Sequence, residues 1–139
     1  MFCLISFIFV VIAIVIHYES LTLLSKVLTA IKTQSRIRVV ILVLWLFLTH
    51  MLEILMYGVA YILIDHYDLI SCFHGDFHGD FMDYLYYSSI VYTAIGFGDM
   101  TPVGPVRFLT AMESLSGILL MSWSASFTFL KMQTFWEKD

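Results

Sequence analysis

Hydrophobic positions in this chain gather into long blocks, and the polar positions between them mark out the elements. Residues 2–16 form an apolar run. Extended to residue 24, it makes a helix of roughly 35 Å, enough to cross a hydrocarbon core of ~30 Å. A secretory signal peptide would start with basic residues and end at a small-residue cleavage site. Neither flanks this run, so it reads as a retained membrane helix. A basic, polar connection follows, and a second apolar stretch over residues 37–64 predicts a helix that spans with some tilt. Residues 65–80 carry turn residues and a tandem repeat, Phe73-His74-Gly75-Asp76 then Phe77-His78-Gly79-Asp80. Residues 81–93 are aromatic-rich and predict a helix too short to cross. A glycine-rich run follows, so this segment reads as a re-entrant half-helix. Irregular backbone at membrane depth is tolerated only where protein or a water-filled cavity surrounds it. Thr101-Pro102 and Gly104-Pro105 predict a turn, and residues 106–130 a third spanning helix.

The fold class is therefore an all-α membrane protein of three transmembrane helices, a re-entrant half-helix and its loop. Residues 1–30 form a peripheral helix, 31–36 a basic loop, and 37–139 the main unit: outer helix 37–64, outer loop 65–80, half-helix and glycine run 81–99, inner helix 106–130. Composition agrees, with 139 residues, 60% hydrophobic and 13% charged, and a mean hydropathy of +0.90. A soluble domain of this size is far more polar. Cys3 and Cys72 are too few for a disulfide framework or a thiolate metal site.

Charge adds an orientation. No Lys or Arg occurs between Arg38 and Arg107, while Asp65, Asp68, Asp76, Asp80, Asp83 and Asp99 fall in that interval. Basic residues cluster at Lys26, Lys32, Arg36 and Arg38, then at Lys131 and Lys138. The positive-inside rule puts the basic loop and the C-terminus in the cytoplasm, with the N-terminus and the acidic loop outside. Arg36 and Arg38 are a topology signal rather than a voltage sensor.

The candidate chemistry lies in Thr93-Ala94-Ile95-Gly96-Phe97-Gly98-Asp99. Alternating glycines open backbone conformations closed to other residues, so successive carbonyls can point one way. With the aromatic half-helix before it and a Gly-containing helix after it, this run resembles the selectivity filter of the potassium channel superfamily, usually T-x-G-[YF]-G-D. Small bacterial and two-pore-domain members are the most similar, and the likeness covers about residues 83–130 and the placement of the second helix. The resemblance implies that backbone carbonyls of Ala94, Ile95, Gly96 and Phe97 replace the hydration shell of K+. It implies that Tyr86 and Tyr87 brace the filter, with Tyr86 donating a hydrogen bond to Asp99. The half-helix would aim its negative C-terminal end at a cavity. One filter copy is a quarter of a pore, so the expected assembly is a homotetramer in the cell membrane. Expected partners are other copies and lipid, with no nucleic acid and no small-molecule substrate. The expected ligand is K+, with no organic cofactor and no enzymatic activity. No soluble ligand-binding domain is expected after the third helix, which leaves gating to the filter, the inner helices, lipid, pH or an external ion.

Two positions depart from the family. Ala94 replaces a second threonine whose hydroxyls complete the innermost ion site. Ile90 stands where some members carry a carboxylate behind the filter. Further along, Gly117 sits at the depth where inner helices hinge, and Met121, Ala125, Ser126 and Phe129 follow on one face as candidate cavity and gate residues. Close packing accounts for Gly117 equally well. Intramembrane acids are functional hypotheses by default. Glu113 is expected to brace the back of the half-helix. His17, Glu19, His50 and Glu53 pose the same question, and antiparallel helices bring His17 and His50 to one depth. That places a His–Glu cluster between them, as structural pairing or as a pH-sensitive group. In the outer loop, His74, Asp76, His78 and Asp80 offer a weak metal or pH site, or simply an acidic mouth that concentrates cations. Cys72 offers an interchain disulfide or a free thiol. The expected function is passive, selective K+ conduction. The alternatives are a weakly selective cation channel, favoured by Ala94, a pore-like transporter subunit, which needs several filter-like loops where this chain has one, and a non-conducting regulatory subunit, for which the His-rich loop is the hint.

Overall fold

The structure, a computed structural model, describes residues 2–31, 33–67 and 72–136. Lys32, Asp68 and Lys138, which carry part of the charge argument, lie outside the described residues. Among the described residues there are four helices: α1 (Phe2–Ala30), α2 (Ser35–Tyr67), α3 (Phe81–Tyr92) and α4 (Val106–Trp136). At 1.5 Å per residue, α1, α2 and α4 are about 44, 50 and 47 Å long, and all three are long and apolar enough to cross a membrane. α1 ends at its expected boundary, while α2 and α4 run past theirs, residues 64 and 130, because helix propensity outlasts hydrophobicity. On α4, Lys131, Met132 and Gln133 are good helix formers that extend the helix beyond residue 130.

One stripe of each long helix is buried. On α1 it is Ser6, Ala13, His17, Leu21, Leu24 and Leu28, and on α4 it is Leu109, Glu113, Ser116, Leu120 and Ser124. These positions recur every three to four residues and so share a face. The remaining faces stay apolar and exposed, as at Phe7, Leu48, Phe47 and Leu119. Water would make such surfaces costly, whereas hydrocarbon does not. The chain is a helical membrane protein, as the sequence implies.

α3 is wedged between α2 and α4, and α1 packs across both of the longer helices. Around α3 the core is aromatic: Tyr57, Tyr61, Phe73, Tyr84, Tyr87 and Tyr92 are all buried. A second core of Leu21, Leu24, Leu28, Leu42, Leu46 and Phe135 closes the opposite end.

The outer loop corrects the sequence reading. Phe73–Gly75 (β1) pairs antiparallel with Met100–Pro102 (β2), with Phe73 opposite Pro102 and Gly75 opposite Met100. Thr101-Pro102 is therefore strand, and the turn begins at Gly104, whose φ is +63°. The two repeats diverge in shape. The first supplies the strand. The second enters α3, where the N–H groups of His78 and Gly79 donate to Asp83 at 2.7 and 3.1 Å. Those bonds occupy a carboxylate in the first helical turn, where negative charge is favoured.

Candidate functional site

The glycine-rich loop starts where α3 ends. Thr93 caps the helix, and its hydroxyl donates to the Ser89 carbonyl at 2.7 Å. The N–H groups of Ala94, Ile95 and Gly96 then fold back onto the last helical carbonyls, Val91 and Ile90, at 2.9 to 3.1 Å. In a planar trans peptide the carbonyl points opposite to the N–H of the next residue. The carbonyls of Thr93, Ala94 and Ile95 therefore face away from α3. Positive φ recurs at every second residue: Ala94 +57°, Gly96 +54° and Gly98 +82°. Ala94 is the one non-glycine among the described residues in this region, at a cost of about 1 kcal/mol for an L residue. All seven residues of the loop are exposed, with Ile95 at 58% and Phe97 at 69%.

The far end of the loop is pinned twice. The Tyr86 hydroxyl donates to the Asp99 carboxylate at 2.7 Å, the pairing expected from the sequence. That carboxylate pushes the Tyr86 phenol up from its ordinary range. The Asp99 carbonyl accepts from the Asp76 N–H at 3.1 Å. It also lies where a Cβ on Gly75 would sit, and Gly75 has φ +113°. Only glycine permits both that approach and that dihedral.

Behind α3 sit two buried carboxylates. Glu113 of α4 accepts from Ser88 of α3 at 2.5 Å and from Tyr61 of α2. It faces the back of the half-helix, as expected. Nearby, Tyr87 shares a hydrogen bond with Thr110 at 2.9 Å. Tyr87 thus turns into the core against Phe73 and Tyr61, while Tyr86 alone reaches the loop within the chain.

Glu53 of α2 holds the last turn of α3, four residues on. Its Oε1 meets His17 Nδ1 at 2.9 Å and its Oε2 meets His50 Nδ1 at 3.0 Å. The Tyr92 hydroxyl, at the last turn of α3, also donates to it. The imidazole rings of His17 and His50 lie 5.3 Å apart, so the equal depth read from antiparallel helices is present. Glu19 is exposed and stands apart from this cluster. Sequence reasoning missed Ser88, Tyr61, Tyr92 and Ser124 as partners. Their spacing carried a signal: Ser88 and Tyr92 are four apart on α3, and Glu53, Tyr57 and Tyr61 repeat by four on α2.

The remaining candidates divide. Gly117 is buried, and a Cβ there would collide with the Tyr92 carbonyl, so the residue lets α4 cross the end of α3. Met121 is half-buried, whereas Ala125, Ser126 and Phe129 are exposed; the four candidates after Gly117 do not share its interior setting. Ile90 is buried and fills its position with hydrocarbon. His74, Asp76, His78 and Asp80 are exposed on the ribbon and the turn into α3. Among the described residues, the group of three that brings ligand atoms together is His17, His50 and Glu53, so the outer-loop residues do not form such a set within one chain. Cys72 is 3% exposed, which removes it from reach of a neighbouring chain's thiol.

Residues 39–134 match the ion channel family, more than half of the chain, and the chain belongs to that family. Searches of the curated proteins and of the solved structures found no match.

Proposed function

We propose that this ion channel conducts K+ passively through a pore built from four copies of the chain. The observation that carries the reading is the alternation of backbone handedness at Ala94, Gly96 and Gly98, on a loop whose N–H groups from Thr93 to Gly96 are committed to α3. Such a backbone offers carbonyl oxygens to a cation without charged side chains, and rings of carbonyls substitute for the hydration shell of K+. The exposed Ile95 and Phe97 side chains fit burial against neighbouring copies around a symmetry axis. Carbonyls of Ala94, Ile95, Gly96 and Phe97 hold the ion, Asp99 and Tyr86 fix the loop's outer end, and Glu113 fixes α3. Met121, Ala125 and Phe129 face the cavity beneath. The N-terminus lies outside and the C-terminus in the cytoplasm.

The test uses the full-length protein. Native mass spectrometry from detergent reports the copy number, and liposomes loaded with K+ report flux. Four copies and a K+ efflux that Na+ does not replace are expected. Any other copy number, or no flux between pH 5 and 8, overturns the reading and favours a regulatory subunit.

Ala94 supports a second reading, a weakly selective cation channel. Without a hydroxyl at this position, four chains lose four oxygens from the innermost site, and selectivity depends on the number and field of those oxygens. Ala94→Thr is expected to strengthen block by Ba2+ from the inner side. Unchanged block sinks the idea of a weakened inner site.

A further inference from the structure

We propose that His17, His50, Glu53 and Ser124 form a binding site for one proton, shared by the two imidazoles through the Ser124 hydroxyl, and that Tyr92 ties its occupancy to the glycine-rich loop. The cluster joins all four helices. Glu53 meets His17 Nδ1, His50 Nδ1 and the Tyr92 hydroxyl. On the far side of both rings, Ser124 Oγ meets His50 Nε2 at 3.0 Å and His17 Nε2 at 3.2 Å. Each of these five contacts needs one proton between its two heavy atoms; the sixth, His50 Nδ1 to the Tyr92 hydroxyl at 2.9 Å, shares the proton that His50 Nδ1 gives to Glu53.

The supply can be counted without choosing tautomers. The hydroxyls of Tyr92 and Ser124 bring two protons, and two neutral imidazoles bring two more. The fifth is an extra proton, carried by an imidazole or by the carboxylate. It satisfies the last contact and, with Glu53 ionised otherwise, brings the net charge of the cluster to zero. A buried charge without a partner is expensive, and so is a buried polar atom without one. Geometry and charge therefore point to the same occupancy.

Ser124 makes the site symmetric. A hydroxyl donates once and accepts as well. It accepts from the protonated Nε2 of one histidine and donates to the bare Nε2 of the other. Moving both protons one step exchanges the two roles with no atom displaced. His50 keeps 18% side-chain exposure while His17 and Glu53 have none, so His50 is the entry point.

The other groups that face the cluster are accounted for. From α3, Tyr92 is bonded to Glu53 and accepts from His50 Nδ1 at 2.9 Å. From α2, the Tyr57 hydroxyl is paired with Ser116 at 3.0 Å. From α4, Glu113 is held by Ser88 and Tyr61, and the Trp123 ring lies 5.4 Å from that of His17. Loss of the proton leaves two acceptor nitrogens facing one hydroxyl. Relief requires an imidazole to turn, and His50 turns against Tyr92. The carbonyl of Tyr92 is seated on Gly117, and the next residue opens the loop.

The test is a nitrogen-15 NMR titration, in lipid nanodiscs, of full-length protein labelled at histidine, threonine and alanine. His66→Gln, His74→Gln and His78→Gln variants identify the other three signals. The imidazolium fractions of His17 and His50 are expected to sum to one over a plateau that includes pH 7. The Thr93 and Ala94 amide signals should move as that proton is lost. Ser124→Ala should shift the midpoint by one pH unit or more, and Ser124→Thr, which keeps the hydroxyl, should restore it. A plateau sum of zero or two overturns the one-proton site. Loop amides that stay fixed overturn the link through Tyr92. Because His17, His50 and Glu53 bring ligand atoms within 4.8 Å of one another, one equivalent of Zn2+ is added in a separate run. Displacement of both Nδ1 protons at that level would make this a metal site and overturn the proposal.

Discussion

The half-helix α3 is held by two buried carboxylates, Glu113 at Ser88 and Glu53 one turn later at Tyr92, and the two are built from different chemistry. Glu113 takes hydroxyls, Ser88 and Tyr61. Glu53 takes one hydroxyl and two imidazoles. Hydroxyl donors keep their protons across the physiological range, whereas imidazoles change charge within it. Glu113 therefore meets donors that stay neutral. In the one-proton site proposed above, the Glu53 cluster, which adjoins the glycine-rich loop, is the part whose donors respond to pH. Burial alone does not distinguish them, since both carboxylates are fully enclosed.

Removing the Glu113 brace should cost most. Glu113→Ala takes the carboxylate from two buried hydroxyls, leaving Ser88 the Ile54 carbonyl at 2.8 Å and Tyr61 the more distant Thr110 hydroxyl at 3.4 Å, and opens a cavity, which should cost about 3 kcal/mol. The check is helix content during unfolding in SDS. Gly117→Ala attacks the last turn of α3. Its Cβ meets the Tyr92 carbonyl, and overpacking of this kind costs about 2 kcal/mol. Crosslinking of paired cysteines should show α3 displaced at residue 92 and still seated at residue 88. Gly75→Ala is next, at about 1–2 kcal/mol, from a strained positive φ and a clash with the Asp99 carbonyl. Faster amide exchange in β1 and β2, with α3 unaffected, is the expected sign.

Tyr86→Phe should alter stability least, because this pair is solvent-exposed, and should act on the loop's outer end instead. The phenol is pushed up by Asp99. Its hydrogen bond is thus intact below the ordinary phenol range near ~10 and is lost as pH rises through the higher folded value. Between pH 5 and 8 the wild-type chain and Tyr86→Phe should have parallel pH profiles. A difference that changes with pH over that range would contradict this assignment.

Much of this arrangement was legible in the chain. Three apolar blocks gave the spans, and a short aromatic block before alternating glycines gave the half-helix. Glu113 and the histidines stood out because charge at membrane depth needs a partner. The partners themselves were harder to see. Ser88, Tyr92 and Ser124 are ordinary helix residues until three helices converge on them, although their spacing by four traces the face. The ribbon was hidden for a different reason. Identical tetrapeptides adopt two conformations there, because Gly75 is fixed by Asp99 from across the loop and Gly79 by the entry into α3. Local pattern carries no trace of a contact made 24 residues away.

The most direct test of the central claim is the reversal potential of the purified full-length protein in a planar bilayer, with K+ in excess on one side, a low K+ concentration on the other and Na+ making up the difference. The loop read as a ring of carbonyls predicts a current that reverses close to the K+ equilibrium potential, in wild type and in Glu113→Gln alike. A current that reverses near zero under these conditions, or no current at all, would contradict it.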